Sequence, residues 1–278
     1  GSRRLSLFLR AAFPRCAVLM DLSCGRGFLH RVDVPCSGLV LAARSYAAYY
    51  DAKLQLSVGL FERDYVCLCH GWLHPRRLKV DAALGWDRRS SSPSSVRDGG
   101  QPAGTRLKLL AACTQPHSKE ALSLMAARID TGRRHQIRAH AAHVGHALVS
   151  DGKYASFVSG NDCHWCTRVA LHRYRLGFSD AAGRGREALE PLPVELRAAL
   201  AILEPRGKAS ARVLLRWARS CESGSCELDS WKALGVLGAD AAAVAGLHDR
   251  AGRSSASSSR CRSCSHSESA LDCGRYCC

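Results

Sequence analysis

No stretch of the chain is long and apolar enough to cross a bilayer. A spanning helix needs ~18 apolar residues in a row, and no run approaches that, so no membrane partner is expected. Acidic residues are scarce: 24 Asp and Glu face 40 Lys and Arg, a formal net charge of +16. The first twenty residues hold Arg3, Arg4, Arg10 and Arg15 and no acid. Such a start is compatible with a mitochondrial or plastid transit peptide. The chain opens at Gly1 rather than Met, and a shortened gene model gives the same pattern, so cytoplasm and nucleus stay open as compartments. Gly25-Arg26-Gly27 lacks the third glycine of a dinucleotide fingerprint. His30-Arg31-Val32-Asp33 has no Asp-Phe-Gly after it. Those two absences exclude the nucleotide-binding and kinase readings.

What the chain does have is length, apolar content and basic charge. Its 278 residues suit one large domain or two small ones, and 46% hydrophobic residues can bury a core. The cationic excess favours a polyanionic partner, with nucleic acid first, against a bland alternative of solvated arginines. The 15 cysteines are odd in number and scattered, which argues against a secreted disulfide scaffold. In contexts such as Val66-Cys67-Leu68-Cys69, cysteine acts as a small hydrophobe.

Taken in order, residues 39–43 form an apolar run that reads as a buried strand after the turn signals Pro35 and Gly38. Asp33 then sits where a strand gives way to a turn. Residues 44–60 carry a helical stripe. Residues 63–71 read as a strand, rich in β-branched, aromatic and Cys side chains. The Ser/Gly/Pro-rich stretch 87–104 reads as a mobile surface loop. Two further strands are expected over 105–112 and 121–129, and a helix from about 134 to 146 with Ile137, Ala141, Val144 and Leu148 on one side. His140, His143 and His146 step by three and fan around that helix, so they make a poor zinc site. Cys163-x-x-Cys166 alone is weak evidence for metal or redox work. A strand over 168–178, a helix over 191–203 and short helices over 212–219 and 231–248 follow. From Gly252 the chain is Ser/Arg/Cys-rich and reads as disordered. Cys261, Cys264, Cys273, Cys277 and Cys278 lie there without a second ordered cluster to frame a metal.

Three blocks concentrate the chemistry. The first is His30-Arg31-Val32-Asp33, followed by Ser37-Gly38. The second is Arg63-Asp64-Tyr65 through Gly71. The third is Thr131-Gly132-Arg133-Arg134-His135-Gln136-Ile137-Arg138-Ala139-His140, followed by Gly145-His146 and Ser150-Asp151. In this order and spacing they resemble the RluA-type RNA pseudouridine synthases, from about residue 28 to 178. Leu171-His172-Arg173-Tyr174 resembles the strand that closes that family's domain. Departures are mild: Val32 stands for the usual Leu and Cys36 for the usual Thr. The family's upstream strands, with their Asn-Lys-Pro-like element, have no evident counterpart in residues 1–27. Without them a sheet edge is left exposed.

The resemblance implies an α+β fold: a mixed, largely antiparallel sheet flanked by helices, with an RNA cleft across it. With the composition beyond residue 204, the chain reads as four stretches: an N-terminal segment 1–27, a catalytic domain 28–204, a helical extension 205–251 and a tail 252–278. The resemblance also implies uridine-to-pseudouridine isomerisation in rRNA or tRNA by a monomer that needs no cofactor and no metal. Asp33 would be the catalytic carboxylate, as nucleophile or as base. Arg138 would pair with it, and Tyr65 would stack on the base and help remove the C5 proton. Arg31, Arg133, Arg134, His135 and Gln136 would bind RNA near the pocket. Residue by residue, a buried Asp–Arg pair that merely pins a turn explains as much. A catalytically silent RNA-binding protein using the same basic cleft is the alternative from another class, and an organellar ribosome-assembly factor is a third.

Overall fold

The computed structural model describes residues 4–76, 79–87, 92–156, 159–220, 231–235 and 237. In chain order the strands are β1 (Ser37–Gly38), β2 (Glu62–His70), β3 (Lys79–Asp81), β4 (Leu84–Gly85), β5 (Ser95–Val96), β6 (Gly104–Thr114), β7 (Ala121–Ile129), β8 (Leu171–Ser179), β9 (Gly185–Leu189) and β10 (Glu204–Pro205). The helices are α1 (Leu5–Ala12), α2 (Ala17–Met20), α3 (Tyr46–Ser57), α4 (Gln136–His143), α5 (Ser159–Asp162), α6 (Val194–Ala201) and α7 (Gly207–Ala218). This is the expected α+β architecture.

One sheet organises the molecule, in the order β1-β8-β2-β7-β6-β10, with β3 added to β6 and β9 to β8. Its pairings are antiparallel except for β1 with β8. The centre is β2, flanked by β7 and β8 and buried from Arg63 to Cys69. A strand covered on both faces shows no apolar–polar alternation, so its sequence is nearly continuous in Val, Leu and Cys. Side chains of period two then divide into two cores. Val66, Leu68, Leu122, Leu124 and Ala126 face a layer made by Leu196 and Leu200 of α6 and Leu214 and Trp217 of α7. Tyr65, Cys67, Met125, Ala127 and Ile129 face the other way, toward Ile137 and Ala141 of α4 and toward Leu148.

Two irregularities matter. The β6–β7 register shifts between Leu109 and Ala111, which puts Leu109 in one core and Leu110 and Ala111 in the other. The β2–β8 register shifts between Asp64 and Tyr65, so Tyr174 of β8 has no opposite number. Such bulges re-aim side chains at the edges of sites. Here the bulge makes Tyr65 the cross-strand partner of Arg173.

The expectations for β2, β6, β7, β8, α3, α4, α6 and α7 hold to within a few residues. The buried strand expected over 39–43 does not form. Only Ser37 and Gly38 pair, with His172 and Arg173 of β8, and an isolated bridge joins Phe28 to Ala42. The local reason is crossing of chains: Gly38 has φ +115°, and a Cβ there would lie 2.3 Å from the Arg173 carbonyl oxygen. So close a crossing turns the backbone out of ladder geometry after two residues. The loop expected over 87–104 is anchored in part, since β5 pairs β4, Ser94 is buried and Gln101 bridges to Leu84; Arg88 and Arg89 lie outside the described residues.

Upstream of Phe28 the described chain is largely helical. Val18 and Leu19 of α2 pack with Cys24, Leu29, Ala43, Tyr49 and Phe61 in a third core. Beyond α7, Trp231, Lys232 and Ala233 form a turn that Lys108 holds through the carbonyls of Trp231 and Leu234. Most of the helix expected over 231–248, and all of the tail from 252, lie outside the described residues. No described helix is long and apolar enough to cross a membrane.

Candidate active site

A cleft of about 770 Å³ opens where the loop after Phe28, strand β2 and the segment 129–138 meet. All eight residues singled out in the sequence line it: Arg31, Asp33, Tyr65, Arg133, Arg134, His135, Gln136 and Arg138. Its size and mixed lining suit a nucleotide-sized ligand.

Asp33 is held by a short turn, with the Cys36 amide donating to its carbonyl at 2.9 Å. Pro35 sits inside this turn, where its fixed φ suits the bend. Arg138 lies one turn into α4, and Ala139 of α4 donates to the carbonyl of His135. Tertiary folding closes the gap of 105 residues: Arg138 Nη1 donates to Asp33 Oδ2 at 3.2 Å. The pair is unequal in exposure. The Arg138 side chain is 2% exposed and Asp33 is 16% exposed toward the cleft.

Asp33 is not the main partner of Arg138. Nε and Nη2 fork onto both oxygens of Asp151, each at 2.7 Å, and Asp151 is fully buried. Bidentate pairing of this kind is strong and fixes direction. Burial opposes the guanidinium charge, but the Asp151 hydrogen bonds together with the Asp151 and Asp33 charges outweigh it and hold the Arg138 pKa above its ordinary value. One charge is therefore matched by Asp151, and the remaining Nη1 aims Asp33. Among the described residues, Asp33 Oδ1 receives no hydrogen bond, so an acceptor oxygen stays available at the cleft. Asp151 was visible as part of the third block, but its role was not, because a Ser-Asp pair carries no local sign of a partner on a helix.

Tyr65 lines the same cleft but is only 7% exposed. Its hydroxyl accepts from Arg173 Nε at 2.8 Å and from Nη2 as well, and the guanidinium carbon stands 4.9 Å from the ring centroid. Arg173, Arg63, Lys53 and Trp86 also line the cleft and were not proposed as site residues from the sequence. Arg63 donates to the carbonyls of Ile129 and Asp130, while its Nε has no partner among the described residues; burial lowers its pKa.

The residues expected to bind RNA divide by their partners. Arg31 is exposed, and Arg133 and Arg134 are half-buried at the rim. His135 is buried, left-handed at φ +56°, and within 3.2 Å of the Tyr154 hydroxyl through Nδ1; burial lowers its pKa. Gln136 is a brace: its amide donates to Gly104 O and Thr105 Oγ1 and accepts from Thr131 Oγ1 and the Arg133 amide. That leaves Gln136 no free donor for a ligand.

The histidines at 140, 143 and 146 do not converge. His140 bonds Thr105 and the Ala82 carbonyl, and His146 the His70 carbonyl. The described group with metal-like chemistry is His70, Glu120 and Asp162. There both imidazole nitrogens already face carboxylates, at 2.9 and 3.0 Å, which is the pattern of an imidazolium bridging two anions. Cys166 is buried and Cys163 exposed, both as free thiols.

Comparison with known proteins agrees with this geometry. Residues 21–143 match the family model described as RNA pseudouridylate synthase. A Bacillus subtilis protein named uncharacterized RNA pseudouridine synthase YhcT is 33% identical over 150 residues, covering 54% of this chain and 47% of that protein. Ribosomal large subunit pseudouridine synthase D of Neisseria meningitidis serogroup A is 30% identical over 191 residues, covering 64% and 48%. The chain thus spans about half the length of these curated relatives. The solved human RNA pseudouridylate synthase domain containing 1 superposes with a TM-score of 0.58 at 23% identity, over 76% of this chain and 83% of that one, a likeness of fold. With the blocks that suggested it in the sequence gathered around one cleft, residues 21–143 are similar to the RNA pseudouridylate synthase family, and the chain is similar to relatives that carry that name.

Proposed function

We propose that this protein isomerises uridine to pseudouridine in RNA, with Asp33 as the carboxylate at the reacting sugar. The observation that carries the reading is the 3.2 Å contact from buried Arg138 to a partly exposed Asp33 at the floor of a basic cleft. Pseudouridine formation breaks the N1–C1′ bond, turns the base and makes a C5–C1′ bond. Nothing is oxidised, and the C5 proton leaves to solvent while N1 gains one. A carboxylate suits this work as attacking group or as base at a glycosidic centre. Arg138, itself held by Asp151, donates to Asp33 Oδ2 and keeps that carboxylate pointed at the substrate.

Tyr65 lies at the cleft wall, where a base displaced from the RNA stack would rest. Arg31, Arg133 and Arg134 supply donors at the rim for phosphates. The name of the Neisseria relative refers to the large ribosomal subunit, which makes ribosomal RNA the substrate to try first and transfer RNA the second.

Tritium release from RNA carrying 5-tritiated uridine tests the reading. Wild-type protein should release tritium, and Asp33→Ala should lose at least ~10²-fold, the usual span for a positioned acid–base group. Full release by the Asp33→Ala variant would sink the proposal. RNA binding without release by the wild type would point instead to a silent binder using the same cleft.

A further inference from the structure

Arg173 is an internal guanidinium, 2% exposed, with no carboxylate within ion-pair distance among the described residues. A buried cation without an anion is costly unless its donors are all satisfied. All five of them are. Nε and Nη2 donate to the Tyr65 hydroxyl. The other Nη2 proton goes to the Arg31 carbonyl at 3.0 Å. Nη1 donates to the Leu39 carbonyl at 2.8 Å and to His30 Nδ1 at 2.6 Å. An arginine cannot accept, so His30 Nδ1 is the acceptor in this bond, while the Leu41 amide approaches Nε2 at 3.3 Å. Burial first, then the Arg173 charge, lowers the His30 pKa to about 3, so this ring is neutral and can play that part.

The backbone of Arg173 repeats the pattern. Its carbonyl accepts from the Leu39 amide, and Gly38 passes so close that no Cβ fits between the chains. Residues 30, 31 and 39 flank Asp33 on both sides of its turn, and Tyr65 is the other cleft residue proposed to meet the base. One side chain therefore spans both.

We infer that Arg173 is a positioning residue that locks the Asp33 loop and Tyr65 into one rigid unit. The inference rests on the reading of the site as a uridine isomerase, and it concerns how that site is held rather than what it does. Five donors in a planar fork are what the position requires; the three donors of a lysine ammonium cannot reach the loop and the phenol together. Arg173→Lys thus keeps charge and burial while cutting the link.

Hydrogen exchange and turnover are measured on the full chain as wild type, Arg173→Lys, Tyr65→Phe and the double variant. The brace predicts faster exchange at amides 30–41 in Arg173→Lys with β2 and β7 still protected. It predicts the same loosening in Tyr65→Phe, although that hydroxyl bonds only Arg173 among the described residues. Turnover in Arg173→Lys should fall by ~10², the cost of a small misplacement of reacting groups, with KM for RNA unchanged. The double variant should be no slower than the slower single one, since both remove the same link. Unaltered exchange at 30–41 in both singles, or losses that simply multiply, would overturn the brace. If Arg173→Lys fails to fold, exchange at 30–41 in Tyr65→Phe decides between a brace and no brace. A wild type that releases no tritium would overturn the functional reading alone, and the exchange data would still decide the brace.

Discussion

A guanidinium shared by two carboxylates of unequal exposure is the smallest unit that explains the site. Asp151 is fully buried and takes two of Arg138's donors, whereas Asp33 takes one and keeps an oxygen for the cleft. Removing the charge of Asp151 leaves Arg138 buried without its main partner, a loss of about 3–5 kcal/mol for a broken internal pair. Asp151→Asn should therefore lower Tm and activity together, whereas Asp33→Asn should abolish tritium release with Tm nearly unchanged; thermal melts beside the release assay separate the two. The thiol next to the site behaves differently again. Burial, then the Asp33 charge, pushes the Cys36 pKa up to about 12, and burial raises Cys69 and Cys113 likewise. The thiolate is the reactive form. Brief alkylation at pH 8 followed by peptide mass spectrometry should label exposed Cys163 and spare Cys36, Cys67, Cys69 and Cys113.

Strands and turns set where those side chains point. The bulge between Asp64 and Tyr65 brings Tyr65 opposite Arg173, and the crossing at Gly38 lets the Asp33 loop lie on β8. Gly38→Ala puts a methyl group 2.3 Å from a carbonyl oxygen at a backbone angle that only glycine adopts easily. It should loosen the 30–41 loop and cut tritium release by ~10²-fold through misplacement of Asp33, with the core strands still protected in hydrogen exchange. At the far end of β2, His70 bridges Glu120, just before β7, and Asp162 of α5. Burial opposes its charge, but the Asp162 hydrogen bond and the Asp162 and Glu120 charges outweigh it, so its pKa is raised above 6.5. The folded state thus holds this proton more tightly than the unfolded chain. Its contribution is full below about pH 6.5 and fades as pH rises through the higher folded value. Tm of the wild type should drop over that range more than Tm of His70→Gln, as scanning calorimetry at a series of pH values would show.

At the scale of the whole molecule, charge and topology do separate work. The net charge of +16 predicts RNA binding that weakens steeply with salt. Replacing both Arg133 and Arg134 by Ala should flatten the log K against log salt slope by about 1–2, near one phosphate contact per arginine; filter binding across a salt series reads this directly. The elements and the three blocks were legible along the chain because their signals are local: short apolar runs on either side of a turn for β6 and β7, a helical stripe for α3 and α4, a Thr-Gly-Arg turn into α4. Asp33, Tyr65 and Arg138 could be picked out because the three blocks that hold them resemble, in order and spacing, those of a known family. Arg173 and Asp151 could not, since each sits in an ordinary strand or turn and gains its role only from a partner over a hundred, or thirteen, residues away. The strand expected over 39–43 failed because an apolar run shows burial and not pairing, and the Gly38–Arg173 crossing withheld the pairing. By itself, then, the sequence determined the sheet's central strands, helices α3, α4, α6 and α7 and the charge that suits RNA, since hydrophobic pattern and net charge are properties of the chain. Only tertiary structure decided which carboxylate Arg138 grips, which arginine grips Tyr65 and where Gln136 spends its amide, because hydrogen-bond partners are chosen by distance in space.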